Sequence, residues 1–284
     1  MCLPGTVETV REEIEAERGR GSGVTRRATL AGAGAAALAA LLPARAAADE
    51  DDDHGERARR HADLTHVLAA GFPVYTGAAP ARRTLKTFAT DGFYSQEWTL
   101  GEHSGTHVDA PGHFVDGGRL VTALRPDELF APAVVIDISE RVGDVPDAIV
   151  EVRDLRRFER RHGRIPRGAI VFMYSGWEER LPDAAAFKNV GPDGAYHFPG
   201  FGIEALEWLL ERRDPAGIGV DTLSLDFGAS TTFEVHRRLL GEDRYGIEAV
   251  ASLSDIPPLG AQVVVGVVPW EEGSGGPCRL LATY

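Results

Sequence analysis

The sequence predicts a mixed α/β fold, because apolar strand-like runs and amphipathic helical segments alternate irregularly along the chain. Residues 131–139 and 168–174 are rich in β-branched and aromatic residues, which is typical of buried strands. Residues 152–162 and 203–212 carry helical patterns instead, the first with many arginines and the second amphipathic. With 284 residues, 43% of them hydrophobic, the chain is long enough for one large domain with a substantial core.

Residues 1–48 have the features of an export signal. Arg26 and Arg27 precede an uncharged stretch rich in Ala, Gly and Leu, and small residues around Ala46 suit a signal peptidase. This pattern resembles a twin-arginine signal, so we predict a periplasmic or extracellular protein with no stable membrane insertion after cleavage. The alternative is an uncleaved membrane anchor, although the apolar stretch is short beside the about 20 residues that a spanning helix needs.

The acidic residues 49–62 are predicted to form a linker, and residues 63–284 the folded domain. The formal net charge of −13 argues against binding nucleic acid through a basic surface. Cys2 would leave with the signal, so Cys278 would remain alone and no intrachain disulfide is possible in the mature chain.

Three of the nine histidines and one aspartate fall within residues 103–113, whose sequence is HSGTHVDAPGH. Imidazole nitrogen and carboxylate oxygen are ligands that suit zinc, manganese or iron. In a straight strand His103 and His107 would stand about 13 Å apart, too far for one ion with bonds of about 2 Å. We therefore expect the chain to bend between them, at Ser104-Gly105.

Residues 103–113 resemble the signature of a known protein family. They are similar to the H-x-G-T-H-x-D-x-P-x-H signature of the metal-dependent cyclase/kynurenine formamidase family, which includes isatin hydrolases. Every fixed position of the signature is present, and the similarity runs from about Asp63 to the C-terminus. The resemblance implies a swivelling β/β/α fold, built as a single domain around a mixed sheet, and a homodimer or homotetramer.

The resemblance also implies two adjacent metal positions. His103, His107 and Asp109 would hold the first ion, and Asp109 would bridge to a second. His236 and Glu248 would complete the second position, whereas their spacing alone would not single them out. One or two zinc ions are expected, or manganese instead, and some members of the family work with a single manganese-type ion. His113 would then be free to shuttle a proton, unless it is itself a ligand.

Other residues are expected around the metal site. Tyr75, Trp98 and Trp177 are the aromatic residues predicted to contact the substrate, although Tyr75 would serve equally to cover the core. Residues 217–226 are predicted to form a strand that resembles the family's G-x-D-T-x-S-x-D segment. Asp221 or Ser224 would organise the ligands from there. Two smaller questions stay open: Glu102 either supports a ligand histidine or is exposed, and His197 lies either at the pocket or at the surface.

The sequence therefore predicts a metal-dependent hydrolase that cleaves a C–N amide bond in a small molecule. The substrate would be an aryl formamide such as N-formylkynurenine, or a cyclic amide such as isatin. Two alternatives remain: a cyclase or lyase acting on a carbonyl substrate with the same metal, and an exported metal-binding protein without catalysis.

Overall fold

The computed structural model describes residues 59–284. The predicted signal peptide lies outside the described residues, as does the linker up to residue 58. The predicted end of the linker, residue 62, is two residues too late. The first strand begins at His61 and pairs antiparallel with the C-terminal strand, with His61 opposite Thr283.

The elements of the described chain alternate irregularly between strand and helix. The strands are β1 (His61–Asp63), β2 (Ala81–Lys86), β3 (Ser95–Thr99), β4 (His107–Asp109), β5 (Phe130–Asp137), β6 (Ile149–Val150), β7 (Ile170–Tyr174), β8 (Gly200–Phe201), β9 (Gly217–Val220), β10 (Tyr245–Glu248), β11 (Leu259–Val267) and β12 (Gly275–Thr283). The α-helices are α1 (Phe88–Asp91), α2 (Pro126–Leu129), α3 (Ser139–Val142), α4 (Val152–His162), α5 (Ala184–Lys188), α6 (Ile203–Arg212) and α7 (Glu234–Gly241).

Seven of these strands close into a ring. The order is β12-β11-β5-β7-β9-β10-β4, and β4 pairs back to β12, while β1 is added at the edge of β12. Three pairs within the ring are parallel, namely β5–β7, β7–β9 and β9–β10. The other pairs of the ring are antiparallel. Closure leaves the short strand β4 hydrogen-bonded on both sides, which holds the motif residues rigidly. The mixed α/β prediction is confirmed.

The ring separates two hydrophobic clusters, as the twofold alternation of side chains along each strand requires. Val135 and the residue paired with it, Phe172, belong to a cluster built from the strands of the ring. Val134 and Val171, one position along each strand, pack with buried residues of α4, α6 and α7. The helices therefore cover the outer face of the parallel strands, and α7 is held beside the ring.

Local predictions succeeded where periodicity was strong. Helices α4 and α6 span the predicted 152–162 and 203–212. The strand predicted for 217–226 is wrong beyond Val220, where β9 ends. After that point side-chain hydrogen bonds replace the strand ladder: Asp221 accepts from the backbone of Ser175, and Thr222 Oγ1 donates to the carbonyl of Pro199 at 2.9 Å.

Residues 85–95 form a unit separate from the rest of the described chain. Within it, the Asp91 carboxylate accepts hydrogen bonds from the Lys86 ammonium and the Thr87 backbone N–H, and Gly92 closes α1 at a φ of 77°. Across residues 59–284, no helix is both long enough and apolar enough to span a membrane.

Candidate metal centre

The metal-ligand motif begins with the predicted bend. Gly105 has a φ of 66°, in the left-handed region that glycine adopts without strain. A Cβ at this position would also lie 2.8 Å from Leu68 Cδ1. The bend brings the ring of His103 to 5.3 Å from that of His107, measured between centroids, whereas an extended chain would hold them much further apart.

The register of β4 explains how a distant glutamate reaches the motif. Glu248, the last residue of β10, lies directly opposite His107, and Gly246 lies opposite Asp109. Directly opposed residues of an antiparallel pair project from the same face of the sheet. Accordingly Glu248 Oε2 lies 3.4 Å from His107 Nε2.

Helix α7 supplies the third histidine. Its buried face includes Val235, His236 and Leu239, so packing against the ring directs the imidazole inward. His236 Nε2 lies 2.9 Å from Glu248 Oε1 and 3.3 Å from Asp109 Oδ2. Two groups of three possible ligands result and share Asp109. Their members are His103, His107 and Asp109 in the first, and Asp109, His236 and Glu248 in the second.

The hydrogen-bonding pattern at this cluster fits a cation. The Nδ1 atom of His107 lies 2.8 Å from the Gly105 carbonyl, which can only accept, so Nδ1 carries a proton. The other ring nitrogen, Nε2, is buried with no hydrogen-bond partner, and so is Asp109 Oδ2. Buried polar atoms rarely stay unmatched. A divalent cation satisfies both, because it accepts an imidazole lone pair and a carboxylate oxygen together.

The ionisation of these groups reflects their close packing. Burial opposes the charged imidazolium of His107, but the Asp109 and Glu248 carboxylates outweigh it and raise its pKa to about 9. Burial also opposes the Asp109 carboxylate, but the neighbouring imidazoles of His103, His107 and His236 hold the pKa of Asp109 well below its usual range. Burial and the charge of Asp109 together raise the pKa of Glu248. Cation binding therefore has to displace protons from this cluster.

His103 is held by a loop from the other end of the chain. Its Nδ1 lies 2.6 Å from Asp109 Oδ1, and its Nε2 lies 3.2 Å from Ser274 Oγ. Ser274 Oγ donates in turn to Glu102 Oε1 at 2.6 Å, so Glu102 is linked to the candidate ligand His103 through Ser274. Gly275 leaves room for the ring, since a Cβ there would lie 2.8 Å from His103 Nδ1. The Gly-rich loop of residues 273–276 thus contacts the candidate site, which sequence reasoning missed.

Comparison with known proteins identifies the family. Residues 62–227 match the family described as putative cyclase. The chain belongs to this family. It is 33% identical over 208 residues to the isatin hydrolase of Roseibium aggregatum, covering 70% of this chain and 78% of that protein. It is 25% identical over 226 residues to the kynurenine formamidase of Erythrobacter litoralis, covering 78% and 93% of the two chains.

A solved structure of an isatin hydrolase has a similar fold. Isatin hydrolase A from Ralstonia solanacearum superimposes with a TM-score of 0.75 at 36% identity, covering 79% of this chain and 92% of that one. The predicted family and cyclase-like fold are therefore confirmed, and the relatives named here are hydrolases. The exact substrate of this family member is a separate question.

A cavity of about 220 Å³ opens over the ligand cluster. Its walls are largely apolar and aromatic, and its floor carries all five candidate ligands. The residues that line its walls include Tyr75, Phe114, Leu223, Ser224 and Phe233. Tyr75 thus lines the cavity, and its ring also packs on Tyr196 at 4.7 Å between centroids. Both roles left open for Tyr75 by the sequence are compatible with this position.

His113 lies beside the ligands within the same cavity. It ends the 3₁₀ turn Pro111–His113, and its ring stacks on His103 with the centroids 3.9 Å apart. Neither of its ring nitrogens makes a hydrogen bond to another residue of the described chain. Partial desolvation in the cavity lowers the pKa of His113 to about 4, so the imidazole is neutral at neutral pH.

Two of the predicted substrate contacts need correction. Trp98 does not line the cavity; it lies on β3, with the Arg82 guanidinium 5.8 Å from its ring centroid. Trp177 is fully buried in the core outside the ring, where its Nε1 donates to the Phe187 carbonyl at 2.8 Å. Its side chain is thus occupied by core packing and presents no surface to the cavity.

The polar residues of segment 221–226 make different contacts. Asp221 accepts hydrogen bonds from Ser175 and Trp177 after β7 and contacts no candidate ligand. Ser224 lines the cavity, and its buried hydroxyl has no hydrogen-bond partner among the described residues. Asp226, which sequence reasoning did not select, contacts His236 directly at 2.6 Å.

The position of His197 is also resolved. It lies outside the cavity, where its Nδ1 is 2.6 Å from Asp147 Oδ2.

Proposed function

We propose that this chain hydrolyses the C–N bond of a small, uncharged aryl amide, with a cyclic amide of the isatin type favoured over an aryl formamide. One observation carries the proposal. The floor of an aromatic-walled cavity holds a buried imidazole nitrogen without a hydrogen-bond partner, His107 Nε2, beside an unmatched carboxylate oxygen, Asp109 Oδ2. Both are placed to bind a cation within reach of a ligand in the cavity.

The five ligands would hold one or two divalent ions, zinc or manganese. His103, His107 and Asp109 would bind one ion, and Asp109, His236 and Glu248 a second. When bound, such an ion acidifies a water molecule and polarises the amide carbonyl. The chain itself keeps the ligands rigid, because β4 is hydrogen-bonded on both sides and α7 is packed against the ring.

His113 would manage the proton. Since its imidazole is neutral and makes no hydrogen bond to another described residue, it can accept a proton from the attacking water. It would then return that proton to the departing amide nitrogen. In a cyclic amide, the C–N bond breaks, a C–O bond forms, and the ring opens to an aryl amine carrying a carboxylate. The unpartnered Ser224 hydroxyl would donate a hydrogen bond to the substrate.

The cavity walls favour a neutral aromatic substrate. Tyr75, Phe114 and Phe233 offer aromatic surfaces, and such rings bind flat aromatic groups well. No lysine or arginine is among the described residues that line the cavity. A substrate with an amino-acid carboxylate, such as N-formylkynurenine, would find no cationic side chain there to pair with. A neutral ring such as isatin needs none.

The alternatives make different demands on the same site. A cyclase or lyase would use the same metal ligands, and only the product separates it from a hydrolase. A metal-binding protein without catalysis would need neither the cavity nor an uncommitted histidine beside the ligands. The homodimer or homotetramer implied by the family resemblance stays a prediction that light scattering on the purified chain can check.

The test is a direct assay of the full chain loaded with Zn²⁺ or Mn²⁺. Isatin and N-formylkynurenine would be supplied separately and the products identified by mass spectrometry. We expect isatin to gain one water and turn over faster than N-formylkynurenine. The variant His107→Ala should lose activity while keeping its circular dichroism spectrum, and the exposed His162→Ala serves as the control. Full activity of His107→Ala under strict chelation would disprove the metal-dependent reaction.

A further inference from the structure

The Asp226 carboxylate is buried without a cationic partner of the lysine or arginine type. Only 1% of the residue is exposed, and its one ion-pairing neighbour in the described chain is His236. A buried carboxylate is costly unless its oxygens are fully hydrogen-bonded. The hydrogen bonds of the Asp226 carboxylate therefore indicate its role.

Both oxygens of Asp226 are directed at the start of α7. Oδ1 accepts from the Val235 backbone N–H at 3.0 Å and lies 3.5 Å from Ser230 Oγ. Oδ2 accepts from the His236 backbone N–H at 3.1 Å and lies 2.6 Å from His236 Nδ1. One carboxylate thus holds the first turn of the helix and the imidazole of the same helix at once.

This contact determines which nitrogen of His236 is available. An ionised carboxylate only accepts hydrogen bonds, so the proton of the neutral imidazole stays on Nδ1. Nε2, whose proton a bound cation would replace, faces Asp109 and Glu248, at 3.3 and 2.9 Å from their oxygens. His107 reaches the same tautomer through a neutral acceptor, the Gly105 carbonyl.

We propose that Asp226 is a positioning residue that fixes the Nδ1–H tautomer of His236 and presents Nε2 to a divalent cation shared with Asp109 and Glu248. The inference rests on the proposed function only in requiring that this cluster binds a cation. A carboxylate that accepts a hydrogen bond from a ligand imidazole raises the basicity of the nitrogen that binds the metal. Loss of such a carboxylate weakens metal binding by about 10- to 100-fold.

The variant Asp226→Asn tests the charge and the tautomer with little change of shape. Its single amide oxygen cannot serve both the helix N–H groups and Nδ1. If the amide NH₂ faces the ring, it donates to Nδ1 and moves the proton to Nε2, where it blocks the metal. The matched control is Asp221→Asn, since Asp221 is equally buried, belongs to the same segment, and accepts its side-chain hydrogen bonds from Ser175 and Trp177 rather than from a candidate ligand.

The experiment titrates the metal-free full chain with Zn²⁺ against a chromogenic chelator. Asp226→Asn should bind Zn²⁺ about 10- to 100-fold more weakly at one site, and Asp221→Asn should match the parent. Equal affinity in Asp226→Asn and the parent would overturn the inference. So would an equal loss in both variants, which would point to a general effect of disturbing the segment. A parent that binds no Zn²⁺ would overturn the proposed function as well.

A second measurement keeps the inference testable if Asp226→Asn does not fold. The parent is labelled with ¹⁵N-histidine, loaded with ¹¹³Cd²⁺, and the His236 signals are assigned by their disappearance in His236→Gln. We expect the metal to couple to Nε2, with a proton on Nδ1. Coupling to Nδ1, or no coupling to His236, would overturn the proposal.

Discussion

Glu248 Oε2 lies 3.4 Å from His107 Nε2, because β10 and β4 pair with these two residues directly opposite each other. The two candidate ligands are far apart in the sequence, yet one strand pairing makes them neighbours. The same pairing places Glu248 within 2.9 Å of His236. One glutamate therefore joins the motif to helix α7.

Metal content tests the bridged arrangement first. We expect two ions per full chain by inductively coupled plasma mass spectrometry, and about one in His236→Ala, because that variant loses a ligand of the Asp109/His236/Glu248 group alone. One ion in both proteins would support a single-ion enzyme that uses His103, His107 and Asp109. No ion in either, after growth with ample zinc and manganese, would refute the metal site.

The role of His113 is separable from metal binding. His113→Gln should lower kcat by about 10²- to 10⁴-fold, since a positioned proton-transfer group contributes on that scale. Its metal content should equal that of the parent, because His113 belongs to neither ligand group of the described chain. A matching fall in metal content would instead identify His113 as a ligand, the alternative left open by the sequence.

Substitution in the Gly-rich loop should weaken metal binding as substitution of the candidate ligands does. In Gly275→Ala the new methyl group would lie 2.8 Å from His103 Nδ1 and closer still to Cε1, so the ring must move away from Asp109. We expect weaker Zn²⁺ binding by chelator competition with the fold retained. Gly143→Ala is the control, since a Cβ there meets nothing within 4 Å and its φ is −59°. Equal losses in the two variants would contradict this account.

The His197–Asp147 pair should make stability depend on pH. The hydrogen bond to Asp147 raises the pKa of His197 above the ordinary value for a histidine. A raised histidine pKa stabilises the fold fully below the unfolded pKa, and the gain disappears as pH rises through the folded pKa. The Tm of the parent should therefore fall more between pH 5.5 and 8.5 than that of His197→Gln. Parallel pH profiles would show that the pair contributes nothing; with both side chains partly exposed, we expect a modest effect.

Export is tested through the adjacent arginines. Replacing Arg26 and Arg27 by lysine should block secretion of the full chain in a bacterial host with twin-arginine transport, because that machinery reads the arginine pair. Fractionation and immunoblotting would locate the protein. Unchanged export of the lysine variant would exclude a twin-arginine signal, and a chain retained in the membrane fraction would support the uncleaved anchor.

The sequence by itself determined the α/β class, two helices and half of the candidate metal site. Helices α4 and α6 were predictable because their patterns are long and periodic. The motif of His103, His107 and Asp109 was predictable because its ligands are close in sequence and a glycine permits the bend. Local chemistry of this kind is present in the chain before any tertiary contact forms.

Only the tertiary structure decided the rest. Glu248 joins His107 through strand register, and Asp226 was found behind His236 because a loop packs on the start of α7. Trp177 was predicted to line the pocket, but its indole is buried in the core outside the ring instead. Register and burial depend on contacts between distant segments, and spacing along one chain does not encode those contacts in any local pattern.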